Sequence, residues 1–227
     1  MKAMILAAGR GTRMGALTTT KPKPLLPVWG KPLIAWHLEA LARAGITQVI
    51  INLAYLGRQI SQYVGDGSAW DLQVSYSTEP EPLETGGAIF YARTLLGSET
   101  FLLINADVFC DMDLSVLINR GLKPGELGHL LLVPNPGFKP RGDFSLTTRG
   151  QVQLPRASIP AYTFAGISLL NPALVVDYPH CREQFPLLEA LQHAIKQDSL
   201  SGQIYKGLWS DIGTPERLRE IDQALTH

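Results

Sequence analysis

Cysteine is scarce in this chain: among 227 residues only Cys110 and Cys181 occur, far apart and outside any C-x-x-C. That excludes a disulfide framework and a cysteine zinc site, and it fits free thiols in a reducing compartment. Paired histidines are missing as well. His37, His129, His180, His193 and His227 form no H-x-H or H-x-x-x-H pair, which argues against zinc. No serine stands in a G-x-S-x-G elbow, so hydrolysis through such a nucleophile has no support. Excess charge of one sign is absent: 20 Lys plus Arg balance 20 Asp plus Glu. A global electrostatic grip on nucleic acid or an anionic membrane is therefore not expected. No apolar run nears the ~18 residues of a membrane helix. The apolar start, Met1 to Ala8, is too short for a signal peptide, and Arg10 and Arg13 follow at once. These absences predict a soluble, cytoplasmic protein.

What is present is globular. Hydrophobic residues at 45% and charged residues at 18% rule out disorder and coiled coil. The length suits one α/β domain over 1–227. Charge is locally uneven. Lys2, Arg10, Arg13, Lys21, Lys23 and Lys31 precede the first acid, Glu39. A solvated basic face reads the same way, but a polyanion site is the sharper reading.

Strand and helix patterns alternate through the first half. Strands are predicted at 2–7, 48–53, 72–77, 101–105 and 127–133, and helices at 33–44, 56–64, 86–96 and 114–121. Such alternation predicts a Rossmann-like, mostly parallel sheet with helices on both faces. After Pro134 the chain is rich in proline, with short strands predicted at 144–147 and 151–154 and a longer one at 162–170. This reads as a small β-rich insert. Helices are predicted at 187–195 and 216–225, the second opened by Thr214-Pro215-Glu216. His37 falls on an apolar helix face and is predicted to pack in the core.

Two loops could carry chemistry. Leu6-Ala7-Ala8-Gly9-Arg10-Gly11-Thr12-Arg13-Met14-Gly15 follows a buried strand, and its glycines let backbone amides converge on phosphate oxygens. The dinucleotide fingerprint G-x-G-x-x-G fails at Met14, which argues against a nicotinamide oxidoreductase. The P-loop pattern fails at Ala16-Leu17. A tight strand-to-helix turn would read the same. Thr20-Lys21-Pro22-Lys23-Pro24-Leu25-Leu26-Pro27-Val28 follows, its prolines stiffening a segment that presents lysines. Farther on, Asp107 sits just after the strand FLLIN, where open α/β sheets bind ligands, and a carboxylate there suits Mg²⁺ beside phosphates. Asp113 reads as a helix cap, and Asp211 precedes the last helix.

Gly9-Arg10-Gly11-Thr12-Arg13-Met14 with Lys21-Pro22-Lys23-Pro24-Leu25-Leu26-Pro27-Val28 resembles the signature of sugar-1-phosphate nucleotidylyltransferases. Asn105-Ala106-Asp107 and Trp209-Ser210-Asp211-Ile212-Gly213-Thr214-Pro215-Glu216 resemble two further blocks of that family, in the same order. The likeness runs from end to end and leaves no room for the left-handed β-helix domain of some relatives. It implies that a nucleoside triphosphate and a sugar 1-phosphate give a nucleotide-sugar and pyrophosphate. Whole-chain similarity implies UTP and N-acetylmuramate 1-phosphate, with mannose-1-phosphate guanylyl transfer as the alternative and a non-catalytic nucleotide-sugar binding subunit as a third reading.

The resemblance also implies roles. Gly9, Gly11 and Thr12 would cradle the triphosphate by backbone amides, Ala7 and Ala8 would also contact the nucleotide, Arg13 would hold the β,γ-phosphates, and Lys23 would bridge the α-phosphate and the sugar phosphate. Asp107 and Asp211 would hold Mg²⁺. Base reading would fall in Thr78 to Gly87, through Glu81 and Gly86, with Asn105 between nucleotide and sugar. The sugar would meet Gly142, Asp143, Thr163 and Phe164 from the β-rich insert. Many relatives carry Glu-Lys before the strand YTFAGISLL. This chain has Leu154-Pro155-Arg156-Ala157, so Arg156 replaces that lysine or the loop waits for substrate. Self-assembly is left open.

Overall fold

The fold is taken from a computed structural model, in which residues 1–156 and 159–224 are described. Ala157, Leu225 and His227 lie outside the described residues, so the predicted end of the last helix at 225 does too.

β1 (Lys2–Leu6) is an apolar run at the centre of the sheet, its side chains alternating between two cores. β2 (Pro27–Val28) and β3 (Lys31–Pro32) form a short hairpin that feeds α1 (Leu33–Arg43). Gly45, at φ 80°, ends that helix in the left-handed conformation expected of it. β4 (Gln48–Leu53) pairs parallel to β1. α2 (Gly57–Val64) starts one residue later than predicted, because Leu56 sits at φ 53° and cannot be helical. β5 (Gln73–Thr78) pairs parallel to β4.

The predicted helix 86–96 is two helices, α3 (Glu84–Tyr91) and α4 (Arg93–Leu96). The break is capped: Arg93 Nη1 donates to the Phe90 carbonyl at 2.8 Å, a partner for a carbonyl at the α3 end. β6 (Phe101–Asn105) returns to the other side of β1, parallel to it. Next come β7 (Val108–Cys110), α5 (Ser115–Arg120) and β8 (Gly128–Val133). The Asp113 carboxylate accepts from the Ser115 amide at 2.9 Å at the start of α5.

The β-rich insert holds β9 (Phe144–Leu146), β10 (Val152–Gln153) and the first residues of β11 (Ala161–Leu170), paired as an antiparallel ribbon. The rest of β11 lies antiparallel between β6 and β8. α6 (Ala173–Val176), α7 (Leu187–Lys196), β12 (Leu200–Ile204), β13 (Trp209–Asp211) and α8 (Pro215–Ala224) complete the chain. β12 runs parallel to β8 at the sheet edge, and β13 pairs antiparallel with β7.

The central sheet is thus mixed and mostly parallel, with β11 the reversed strand. α1, α2 and α5 cover one face through residues such as Leu38, Ile60 and Leu117, all fully buried. α3, α6 and α7 cover the other through Ile89, Leu174 and Leu191. A third cluster, around Met14, Leu33, Phe109 and Ile212, ties the glycine-rich loop and the β2–β3 hairpin to β7 and α8. Among the described residues no helix is long and apolar enough to cross a membrane. The chain leaves β1 for β4 on one side and later for β6 on the other, so the carboxyl ends of β1 and β6 flank a crevice where ligands bind in such sheets.

Candidate active site

That crevice is a cleft of about 360 Å³. Leu6 to Ala8 enter it from β1, Asn52 from β4, Glu79 from just past β5, and Asn105 to Asp107 from β6. The loop after β1 supplies Gly9, Gly11, Thr12 and Arg13. Gly11 adopts φ 62°, and a Cβ there would press within 3.3 Å of the Lys23 side chain and 3.2 Å of Thr18. Glycine therefore lets the loop lie against the lysine-bearing segment. Thr18 Oγ1 donates to the Gly11 carbonyl at 2.9 Å and fixes that approach. Among the described residues, the amides of Ala8, Gly9 and Arg10 donate to no protein acceptor. They are donors held in a loop, which is what phosphate oxygens use.

The two lysines of the proline-stiffened segment part company. Lys21 is exposed and lines neither cleft, whereas Lys23 is buried and lines the first. Lys23 Nζ lies 2.6 Å from Asp107 Oδ2, a charge-assisted pair whose lysine is buried and whose carboxylate opens on the cleft.

A second cleft of about 320 Å³ adjoins the first and shares Arg13, Thr85, Asn105 and Asp107 with it. Its far end is formed by Asp143, Thr163 and Phe164 from the insert, Leu187 and Leu188 from α7, and Trp209. The ribbon of β7 and β13 brings Asp211 to this cleft beside Asp107: the Ile212 amide donates to the Asp107 carbonyl at 2.8 Å. Arg217 Nη1 lies 2.9 Å from Asp211 Oδ1, at ion-pair distance but out of line for a hydrogen bond. Two carboxylates on neighbouring segments, each ion-paired through one oxygen, could hold a hard divalent cation through the other. Among the described residues no group of three or more such ligands occurs. That pattern suits Mg²⁺, which takes most of its ligands from water and phosphate.

Not every expected residue faces a cleft. Glu81 is exposed and lines neither. Gly86 is buried and packs on Phe185: a Cβ there would lie 2.5 Å from the ring, and its amide donates to the Phe185 carbonyl at 2.9 Å. Gly142, at φ 62°, shapes the turn before Asp143 against Tyr162 rather than facing the cleft. Arg156 is exposed and lines neither cleft.

The same loop offers others. Glu79, Glu84 and Thr85 line the first cleft. Asn52 Oδ1 accepts from the Ala7 amide at 2.6 Å, and Asn52 Nδ2 donates to Glu79 Oε1 at 2.7 Å. Glu79 Oε2 accepts from the Leu83 amide at 3.0 Å. Burial pushes the Glu79 carboxyl above its ordinary value, against those bonds. Glu84 stands at φ 61°, a strained conformation for a residue with a side chain. The sequence signal for Asn52 and Glu79 was their position: polar residues closing, or just beyond, strands on the ligand side.

His37 is buried on α1, and burial drives its imidazole down to about 4 despite the backbone at Ala106 and Val108 and the Asp107 charge. It stays neutral in the core, as its helix face predicted.

The nucleotidyl transferase family model matches residues 2–141, which hold the glycine loop, Lys23 and Asp107. The chain belongs to the nucleotidyl transferase family. It is 46% identical over 228 residues to the N-acetylmuramate alpha-1-phosphate uridylyltransferase of Neisseria meningitidis, covering 99% of this chain and 98% of that one. It is 30% identical over 224 residues to mannose-1-phosphate guanyltransferase beta-A of Xenopus laevis, spanning 95% of this chain and 62% of that relative. In fold it is similar to a crystal structure from Bacillus anthracis described as a glucose-1-phosphate thymidylyltransferase, with a TM-score of 0.87 at 20% identity over 99% of this chain and 94% of the other.

The first cleft presents loop amides and a buried lysine, and the second presents carboxylates, hydroxyls and an apolar wall. Arg13, Asn105 and Asp107 stand where they meet.

Proposed function

We propose that this chain transfers uridylyl from UTP to N-acetylmuramate 1-phosphate, giving UDP-N-acetylmuramate and pyrophosphate. The observation that carries this reading is 46% identity along essentially the whole of both chains to the Neisseria enzyme of that name. The 30% relatives that use other sugars and bases align over less of their own length.

In this reading a sugar-phosphate oxygen attacks the α-phosphorus of UTP in line. The new O–P bond forms as the bond to the β-phosphate breaks, and pyrophosphate leaves with its electrons. No side chain is modified, so positioning and charge neutralisation supply the rate. Loop amides at Ala8, Gly9 and Arg10 hold the triphosphate, and Arg13 holds the departing end. Lys23, kept from water, meets the charge that builds on the oxygens around the α-phosphorus. Asp107 and Asp211 are the residues that would hold Mg²⁺, whose chemistry when bound is to neutralise phosphate charge. Asn52, Glu79, Glu84 and Thr85 form the wall for the base. Asp143, Thr163 and Phe164 meet the sugar. The same reading makes 1–227 one catalytic domain, places it in the cytoplasm and assigns it to peptidoglycan recycling.

The test is a pyrophosphate-release assay with Mg²⁺, crossing UTP, GTP, dTTP and CTP with muramate, glucosamine, glucose and mannose 1-phosphates. Release confined to UTP with N-acetylmuramate 1-phosphate is expected. GTP with mannose 1-phosphate would keep the chemistry and replace the substrates. Silence throughout, with ligand still bound, would make the chain a binding subunit.

A further inference from the structure

N-acetylmuramate 1-phosphate differs from N-acetylglucosamine 1-phosphate by one lactyl ether, and hence by one carboxylate. The cleft assigned to the sugar is lined by Asp107, Asp143 and Asp211, each already at ion-pair distance from a cation of the protein. A further carboxylate entering there needs a cation that the phosphates have not claimed. Among the described residues, two cationic side chains line this cleft, Arg13 and Lys139. Arg13 also lines the first cleft, at the phosphate end. Lys139 lines only the second.

We infer that Lys139 recognises the lactyl carboxylate and so selects muramate over the plain amino sugar. The inference rests on the substrate reading proposed above. Lys139 is built into its place. Its amide donates to the Pro136 carbonyl at 2.8 Å, and its carbonyl accepts from the Gly142 amide at 3.2 Å. Asn135 ties the same loop to the insert: Nδ2 donates to the carbonyls of Pro140 and Ala161, and Oδ1 accepts from Thr163 Oγ1 at 3.1 Å.

The ammonium is held too. Lys139 Nζ lies 2.7 Å from Asp143 Oδ2, an oxygen that also accepts from the Phe164 amide at 2.9 Å. An ammonium carries three protons, so this pair leaves two donors. The side chain is 43% exposed, so a ligand can reach it. A lysine oriented by a carboxylate loses less rotamer freedom when it captures a second one. Arg156, the other cation expected at this end of the site, is exposed and lines neither cleft.

The competing role for Lys139 is fastening its own loop through Asp143. Steady-state kinetics on the full chain with saturating UTP separates the two. The variants are Lys139→Gln and Lys139→Arg, each assayed with N-acetylmuramate and N-acetylglucosamine 1-phosphates. For Lys139→Gln the ratio of kcat/KM between the two sugars is expected to fall about 10- to 100-fold, the worth of a charged hydrogen bond, through KM for the muramate. Lys139→Arg should recover most of that ratio. Equal losses on both sugars would make Lys139 a loop fastener and overturn the inference. So would an unchanged ratio in a wild type that prefers muramate. A wild type that does not prefer muramate would remove the substrate reading itself, and the inference with it.

Discussion

Lys23 and Lys21 stand two residues apart, yet only one of them is built into the cleft. The first turn of structure after Pro22 buries Lys23 to 7% exposure and pairs it with Asp107. The pair holds the ammonium in place before substrate arrives, and its two remaining protons can meet new negative charge without reorientation. Lys23→Ala should therefore lower kcat by about 10²- to 10³-fold while KM changes little, because the contact tightens in the transition state. Lys21→Ala should stay near wild type. Equal losses in the two variants would mean that the segment's overall charge matters rather than one ammonium. Glu79 invites a finer substitution. Its two oxygens accept from two different donors, Asn52 Nδ2 and the Leu83 amide. Glutamine keeps only one acceptor and adds two protons, so Glu79→Gln leaves a buried donor facing another. KM for UTP should rise about tenfold, the cost of roughly one unmet buried hydrogen bond, with KM for the sugar phosphate much less affected. Equal rises in both constants would show that Glu79 supports the clefts as a whole.

At the scale of elements, what could be read in advance is what is local. β1, β4, β6 and β8 are apolar runs, and α1 and α7 carry their apolar residues on one face, so their bounds fall within a residue or two of the pattern. β7 and β13 were not read, because each is three residues long and gains its identity only by pairing with the other across the chain. That pairing sets Asp211 beside Asp107, a juxtaposition no spacing could announce. β12 escaped for a similar reason: Leu200-Ser201-Gly202-Gln203-Ile204 is too polar to look like a strand until β8 offers it a partner. The resemblance points to Glu81, whereas the chain turns it outward and buries Glu79 instead. The bulge in β11 shows how an element serves the site. Register shifts between Phe164 and Ser168, Gly166 stands at φ 75°, and a Cβ there would lie 2.8 Å from Asn105 Nδ2. Gly166→Ala should therefore strain the backbone and push Asn105 from the junction of the two clefts. A stability loss of about 1–3 kcal/mol is expected, or roughly 3–10 °C in Tm for a chain of this size, with activity falling at least tenfold. A fully folded, fully active variant would mean that the strand tolerates a side chain here.

For the molecule as a whole, pH should act on stability through histidines kept neutral inside the fold. His129 on β8 sits in a buried chain of bonds. Arg120 Nη2 donates to Ser201 Oγ at 2.9 Å, Ser201 Oγ lies 2.8 Å from His129 Nδ1, and His129 Nε2 lies 3.1 Å from Gln203 Oε1. Oε1 can only accept, so Nε2 carries the proton and Nδ1 accepts from Ser201. A second proton on Nδ1 would face a hydroxyl already tied to a guanidinium. Burial first, then the Arg120 charge, drive His129 down to about 4, against the pull of Gln203 and Glu126. His37 is driven equally low by burial. In the unfolded chain both titrate near the ordinary 6.5, so between pH 6.5 and 4 the unfolded state binds more protons and stability falls as pH falls. Each histidine contributes a slope of up to ~1.4 kcal/mol per pH unit there. Glu79 works against them, since its raised carboxyl takes a proton more readily in the fold than out of it. Two histidines outweigh one glutamate, so the urea midpoint should drop steadily from pH 7 to 4.5. Below that range Glu126 adds to the loss: burial pushes its carboxyl up, but the Arg120 guanidinium and the Lys123 amide hold it near 2. His129→Gln removes one titrating group from a site that already pairs with amide and hydroxyl. It should flatten the slope between pH 6.5 and 4.5 by close to one proton, whatever it does to stability at pH 7. A variant whose slope matches wild type would place the pH response in other groups.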